Sequence, residues 1–97
     1  MFVGSLEIDL LLGDIRSLKQ KRSVVRPIVA SLARLRVAVA EVDDHDLHRR
    51  ARIGVAAVAA DPRHVGELLD ASEALVAGRP EIEVLSVRRV VRGSDDE

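Results

Sequence analysis

The stretch VAVAEV-DDHDLHRRAR-IGVAAVAA-DP, residues 37–62, decides the fold. Its two runs over 37–42 and 53–60 are dominated by Val, Ile and Ala, with a polar connection over 43–48 following the first run. Such runs read as paired strands of a hairpin with a longish loop. The second run stops at Asp61-Pro62, an N-cap followed by proline at the first helical position, so a helix starts there. Its apolar stripe is Val65, Leu68, Leu69, Leu75 and Val76, with the small Ser72 at the centre, and Gly78 and Pro80 end it.

Outward from this core, residues 82–91 read as a last strand. Upstream, residues 2–12 alternate, with Leu6, Ile8 and Leu10 on one face and Ser5, Glu7 and Asp9 on the other, the period of a half-buried strand. Gly13-Asp14 breaks that pattern. Ser17 stands three residues before Gln20, the spacing of a capping box, which predicts a helix from Leu18. Leu18, Val25, Ile28, Val29, Leu32 and Leu35 form its stripe. Pro27 removes the bond to the carbonyl of Ser23 and predicts a kink; a helix starting nearer Val24 is the alternative. The order is β-α-β-β-α-β, an α+β chain of the ferredoxin-like kind. It predicts a four-stranded antiparallel sheet in the order 4-1-3-2 with two helices on one face. One domain is expected over residues 1–92, followed by a flexible acidic tail over 93–97.

Composition bounds the function without naming it. The chain has 97 residues, 47% hydrophobic and 32% charged, and a net charge of −1, which argues against disorder and against a uniformly basic nucleic-acid binder. No apolar run has the length of a membrane span, and Glu7, Asp9 and Asp14 interrupt the first apolar stretch, so no membrane contact or signal peptide is expected. Without cysteine there is no disulfide framework and no thiolate chemistry, and a cytoplasmic location is expected.

Charge is segregated along the chain. From residue 15 to residue 40 there is no acid, while Arg16, Lys19, Lys21, Arg22, Arg26, Arg34 and Arg36 all fall inside. Lys19, Arg22 and Arg26 line one flank of the first helix, at spacings suited to tracking phosphates. A competing reading sets this flank against Glu67, Asp70 and Glu73 of the second helix, so that the helices neutralise each other or those of a second copy. Two further clusters, Arg49/Arg50/Arg52 and Arg88/Arg89/Arg92, are expected at opposite ends of the sheet as solvated or edge-protecting groups. Base stacking on the sheet is unsupported, because Phe2 is the single aromatic residue. The run over 53–60 is apolar on both faces, which predicts a homodimer through the sheet face or edge.

Glu41 and Asp43, read as sharing one strand face, are followed by His45, Asp46 and His48, types that hold divalent cations. Their spacing matches no specific metal site, and an exposed turn has the same composition, so no metal and no cofactor are assigned. His64 opens the second helix without an evident partner. No nucleophile, phosphate-loop or dinucleotide motif occurs, so no catalytic residue is assigned and no enzyme is expected.

Ser17-Leu-Lys-Gln-Lys-Arg22, after the VG-x-L-x-I-x-L strand over 3–10, resembles the opening of the YlxP-like family of small bacterial proteins, long grouped under a domain of unknown function. The block from Val39 to Leu47, with Arg50-Ala51 and Ile53-Gly-Val-Ala56, resembles it too, and the likeness covers residues 1–91. The chain departs from the family pattern at His48, where an aromatic is common, and at Pro27. The resemblance implies a ferredoxin-like fold and a role in ribosome maturation or translation, because such proteins are commonly encoded beside translation initiation and ribosome-binding factors. The expectation is therefore a non-enzymatic, homodimeric factor that contacts ribosomal RNA or a ribosomal subunit through Lys19, Lys21, Arg22 and Arg26, without DNA specificity. Lys21 lies near the apolar stripe, where pairing with a carboxylate is its other reading. The alternative function is a homodimeric small-ligand-sensing regulatory module of the same topology.

Overall fold

The computed structural model describes residues 1–43 and 47–95. The elements are β1 (Phe2–Leu12), α1 (Leu18–Ala33), β2 (Ala38–Asp43), β3 (Arg50–Ala59), α2 (Pro62–Ala77) and β4 (Ile82–Gly93). The four strands form one antiparallel sheet in the order β2-β3-β1-β4. This is the ferredoxin-like order expected from the sequence.

The alternation of β1 sets the layers. Leu6, Ile8, Leu10 and Leu12 are fully buried beneath the helices, with Ala51, Ile53, Val55 and Ala57 of β3 beside them. From above, α1 inserts Val25, Ile28 and Leu32, and α2 inserts Val65, Leu69 and Val76. At Gly4 the sheet meets α2 closely: a Cβ there would collide with Val65 and come within 2.8 Å of Leu69. Glycine is the residue that allows the helix this approach.

Helix α1 begins at Leu18 and runs unbroken through Pro27, so the later start near Val24 does not occur. The Ser17 side chain accepts from the Gln20 N–H at 3.1 Å, as a capping box requires. The return bond differs: the Arg16 N–H donates to Gln20 Oε1 at 2.6 Å. After Ala33 the chain tightens, with the Leu35 N–H donating to the Leu32 carbonyl at 2.9 Å. Arg36 then takes φ 65° and turns the chain into β2.

The strands differ in extent from the sequence pattern. β2 opens at Ala38, and β3 opens at Arg50, three residues before its apolar run, because Arg50 pairs with Leu11 and Arg52 with Asp9. β4 continues to Gly93, opposite Phe2, and the Ser94 N–H donates to the Met1 carbonyl at 2.8 Å. The expected tail therefore loses its first residue to the sheet and its second to the N-terminus. Asp96 and Glu97 lie outside the described residues, as do Asp44, His45 and Asp46 of the β2–β3 connection.

Candidate nucleic-acid interface

Three of the four basic residues singled out on α1 come together. Lys19, Arg22 and Arg26 are exposed and, with Ser23 and Pro27, line a shallow depression of about 530 Å³. Their spacings of three and four residues stack them along one flank of the helix. None of the three has an ion-pair partner among the described residues. The depression is a cationic surface whose N–H groups can donate to several anionic oxygens.

Lys21 corrects the sequence expectation. It is 3% exposed, and its Nζ lies 2.8 Å from Glu41 Oε2 on β2. The reason is periodicity: Lys21 stands four residues before Val25 and seven before Ile28, so it occupies the buried stripe itself. An ammonium in that position requires a carboxylate opposite it. Its ammonium is held by Glu41, and the pair lies on the wall of a groove of about 600 Å³ that Arg22 and Arg26 also line. Glu41 was missed as its partner, although a signal existed, since Val39 and Glu41 alternate against Ala38 and Ala40.

Glu41 and Asp43 do not share a face, contrary to the strand pattern. The register between β2 and β3 shifts at this point, pairing Glu41 with Ile53 but Asp43 with Arg52. Glu41 therefore faces α1, and Asp43 faces the open side, where its Oδ2 lies 3.5 Å from Arg52 Nη1. The extra residue of a β-bulge reverses the alternation. No cluster of three or more potential metal ligands occurs among the described residues; His45 and Asp46 lie outside them. His64 Nδ1 lies 3.7 Å from Glu67, its neighbour one turn along α2.

Several other arginines contrast with the α1 flank. Arg50 pairs with Asp9 at 2.7 Å and Arg63 with Glu67 at 2.8 Å. Arg89 turns to the helix side, where it pairs with Asp70 at 2.6 Å and donates to the Gly66 carbonyl. Arg49 donates to the Gly13 carbonyl at 3.1 Å. The two strand clusters are not at opposite ends of the sheet: Arg52 lies opposite Asp9 and Arg88 opposite Glu7, the next residue on the same face of β1, and only Arg92, opposite Val3, is well removed. Glu67 and Asp70 are thus paired with Arg63 and Arg89, and no ion pair joins α1 to α2 among the described residues.

No described helix is long and apolar enough to cross a membrane. Among solved structures, a de novo designed protein with a ferredoxin fold matches at TM-score 0.50 and 15% identity, over 99% of this chain and 89% of its own. The C-terminal domain of a cyclometallase involved in synthesis of the NPN cofactor of lactate racemase matches at TM-score 0.46 and 12% identity, over 95% of this chain and 55% of its own. A cofactor-independent oxygenase from Streptomyces nogalater matches at TM-score 0.46 and 14% identity, over 99% and 95%. The first likeness supports the fold, and none of the three bears on chemistry. No curated protein matches the sequence. The model of the family described as "Protein of unknown function (DUF503)" matches residues 3–89, and the chain belongs to that family.

Proposed function

We propose that this protein is a non-enzymatic, cytoplasmic, RNA-associated factor, and that it contacts ribosomal RNA or a ribosomal particle through the exposed flank of α1. The observation that carries this reading is the depression at Lys19, Arg22 and Arg26, whose three cations have no acidic partner among the described residues. The family resemblance of the segment around Ser17 and Arg22 supports a ribosomal target. Lys19, Arg22 and Arg26 bind phosphates, so recognition reads backbone shape and charge, with no base stacking.

Three phosphate contacts give a log–log salt slope of about −2 to −3. Co-sedimentation with purified small and large ribosomal subunits at about 50 and 200 mM salt tests this, with a fall in affinity of roughly 20- to 60-fold expected over that range. Binding to one subunit that the Lys19/Arg22/Arg26→Ala variant loses supports the reading. Absence of binding at both salt concentrations refutes it. In that event, a melting-temperature shift with amino acids or other small ligands would favour the small-ligand regulatory module.

A further inference from the structure

Among the described residues, none covers the face of the sheet opposite the helices. Its outward residues follow from the strand registers. Val3, Ser5, Glu7 and Asp9 of β1 lie opposite Val58, Ala56, Gly54 and Arg52 of β3. On the outer sides, Arg92, Val90 and Arg88 of β4 flank Val3, Ser5 and Glu7, while Ala38 and Ala40 of β2 flank Ala56 and Gly54. The two halves differ in height. The β2–β3 half is floored by Ala38, Ala40 and Ala56, with the exposed Val42 side chain lying across Gly54, and the β1–β4 half carries the long side chains of Glu7 and Arg88. Between them lies a depression of about 570 Å³. Val3 and Val58 stand at one end, 42% and 58% exposed.

We infer that a second copy of this chain covers this face, related by a two-fold axis parallel to the strands and lying between β1 and β3. The inference does not rest on the RNA reading, which uses α1 on the other side of the sheet. Such an axis lays β1 of one protomer over β3 of its partner and β4 over β2. The tall half then lies over the low half twice: Arg88 stands over Ala40, Val90 over Ala38 and Val3 over Val58, while Glu7 meets Val42 where it covers Gly54.

Charge matches in the same arrangement. The acids Glu7 and Asp9 of β1 come over the β3 strand that carries Arg52, and Arg88 of β4 comes over the β2 strand that ends at Asp43. Glu7 and Arg88 are direct cross-strand neighbours, yet neither has an ion pair among the described residues. Both are left available to a partner. Sheets packed face to face with strands aligned within about 30° bury interdigitated side chains about 10 Å apart, which suits a face of alternating tall and small residues. Each contact made by one protomer is repeated by the other, as an isologous interface requires.

Sedimentation equilibrium of the full chain at tens of micromolar tests the dimer, and twice the 10.6 kDa chain mass is expected. Ala56→Arg places a long cation on the exposed floor and is expected to return the monomer mass, whereas the Lys19/Arg22/Arg26→Ala variant stays dimeric. The arrangement is tested by cross-linking, which the cysteine-free chain makes clean. An Arg88→Cys chain mixed with an Ala40→Cys chain is expected to form a disulfide-linked heterodimer on oxidation, and each variant alone is not. A wild-type mass of 10.6 kDa, an Ala56→Arg dimer, or Arg88→Cys chains that link to each other as readily as to Ala40→Cys chains would each overturn the inference.

Discussion

The two helices have the same build and opposite electrostatic fates. Each spans 16 residues and starts at a side-chain cap, Ser17 or Asp61. Each also buries one polar residue in its stripe, Lys21 in α1 and Ser72 in α2. Ser72 satisfies itself within the helix, its hydroxyl donating to the Leu68 carbonyl at 2.8 Å. Lys21 instead reaches another element, Glu41 of β2. On the outward faces the contrast reverses. Glu67 and Asp70 of α2 are engaged by arginines, while Lys19, Arg22 and Arg26 of α1 have no ion-pair partner among the described residues. Where a charge serves the fold here, it has a partner. The α1 flank carries charge that the fold does not use, and such charge is available to a ligand.

The largest expected effect breaks the buried pair. Glu41→Ala leaves the Lys21 ammonium buried and uncompensated, and urea unfolding should register a loss of about 3–5 kcal/mol. Replacing both residues together, Lys21→Met with Glu41→Leu, should recover most of that loss, because the site then closes as apolar packing. A single variant within about 1 kcal/mol of the parent would mean that Lys21 reaches solvent in solution.

Leu32→Ala and Leu69→Ala compare the stripes directly. Both side chains are fully buried, and each truncation should cost about 2–5 kcal/mol by denaturant unfolding. Ser72→Ala is milder, about 0.5–1.5 kcal/mol, since the carbonyl it leaves behind belongs to the same helix. That value set against Glu41→Ala measures how much more a polar group depends on its surroundings when its partner is on another element.

The smallest stability effect accompanies the largest functional one. Lys19/Arg22/Arg26→Ala removes exposed like charges at spacings of three and four, so thermal stability should change by no more than about 0.5 kcal/mol. Salt-sensitive sedimentation with ribosomal subunits should nevertheless be lost. Combined loss of stability and binding would show that the flank supports the fold.

Much of the architecture was legible in the sequence. The alternation over residues 2–12, the paired runs around the hairpin, and the Ser17 and Asp61 caps identify the elements, and their succession leads to the observed strand order. Arg50 and Arg52 were less legible as strand residues, because a polar residue joins a ladder through backbone hydrogen bonds that no side-chain pattern records. Of the candidate site, the flank Lys19, Arg22 and Arg26 was readable from helical spacing, while Lys21 was grouped with it through the family resemblance of the segment from Ser17 to Arg22.

The sequence by itself determined what local periodicity can carry: the order of strands and helices, the apolar faces, the helix starts, and the segregation of bases in the first half of the chain. Only the tertiary structure decided which charges are spoken for. Alternation with Val39 keeps Glu41 on the α1 side, the bulge in β2 turns Asp43 toward Arg52, and the packing of α1 over that edge takes Lys21 out of water. The physical reason is range. Periodicity is written in neighbours three or four residues apart, whereas an ion pair depends on distances between elements, set when the sheet registers and the helices dock.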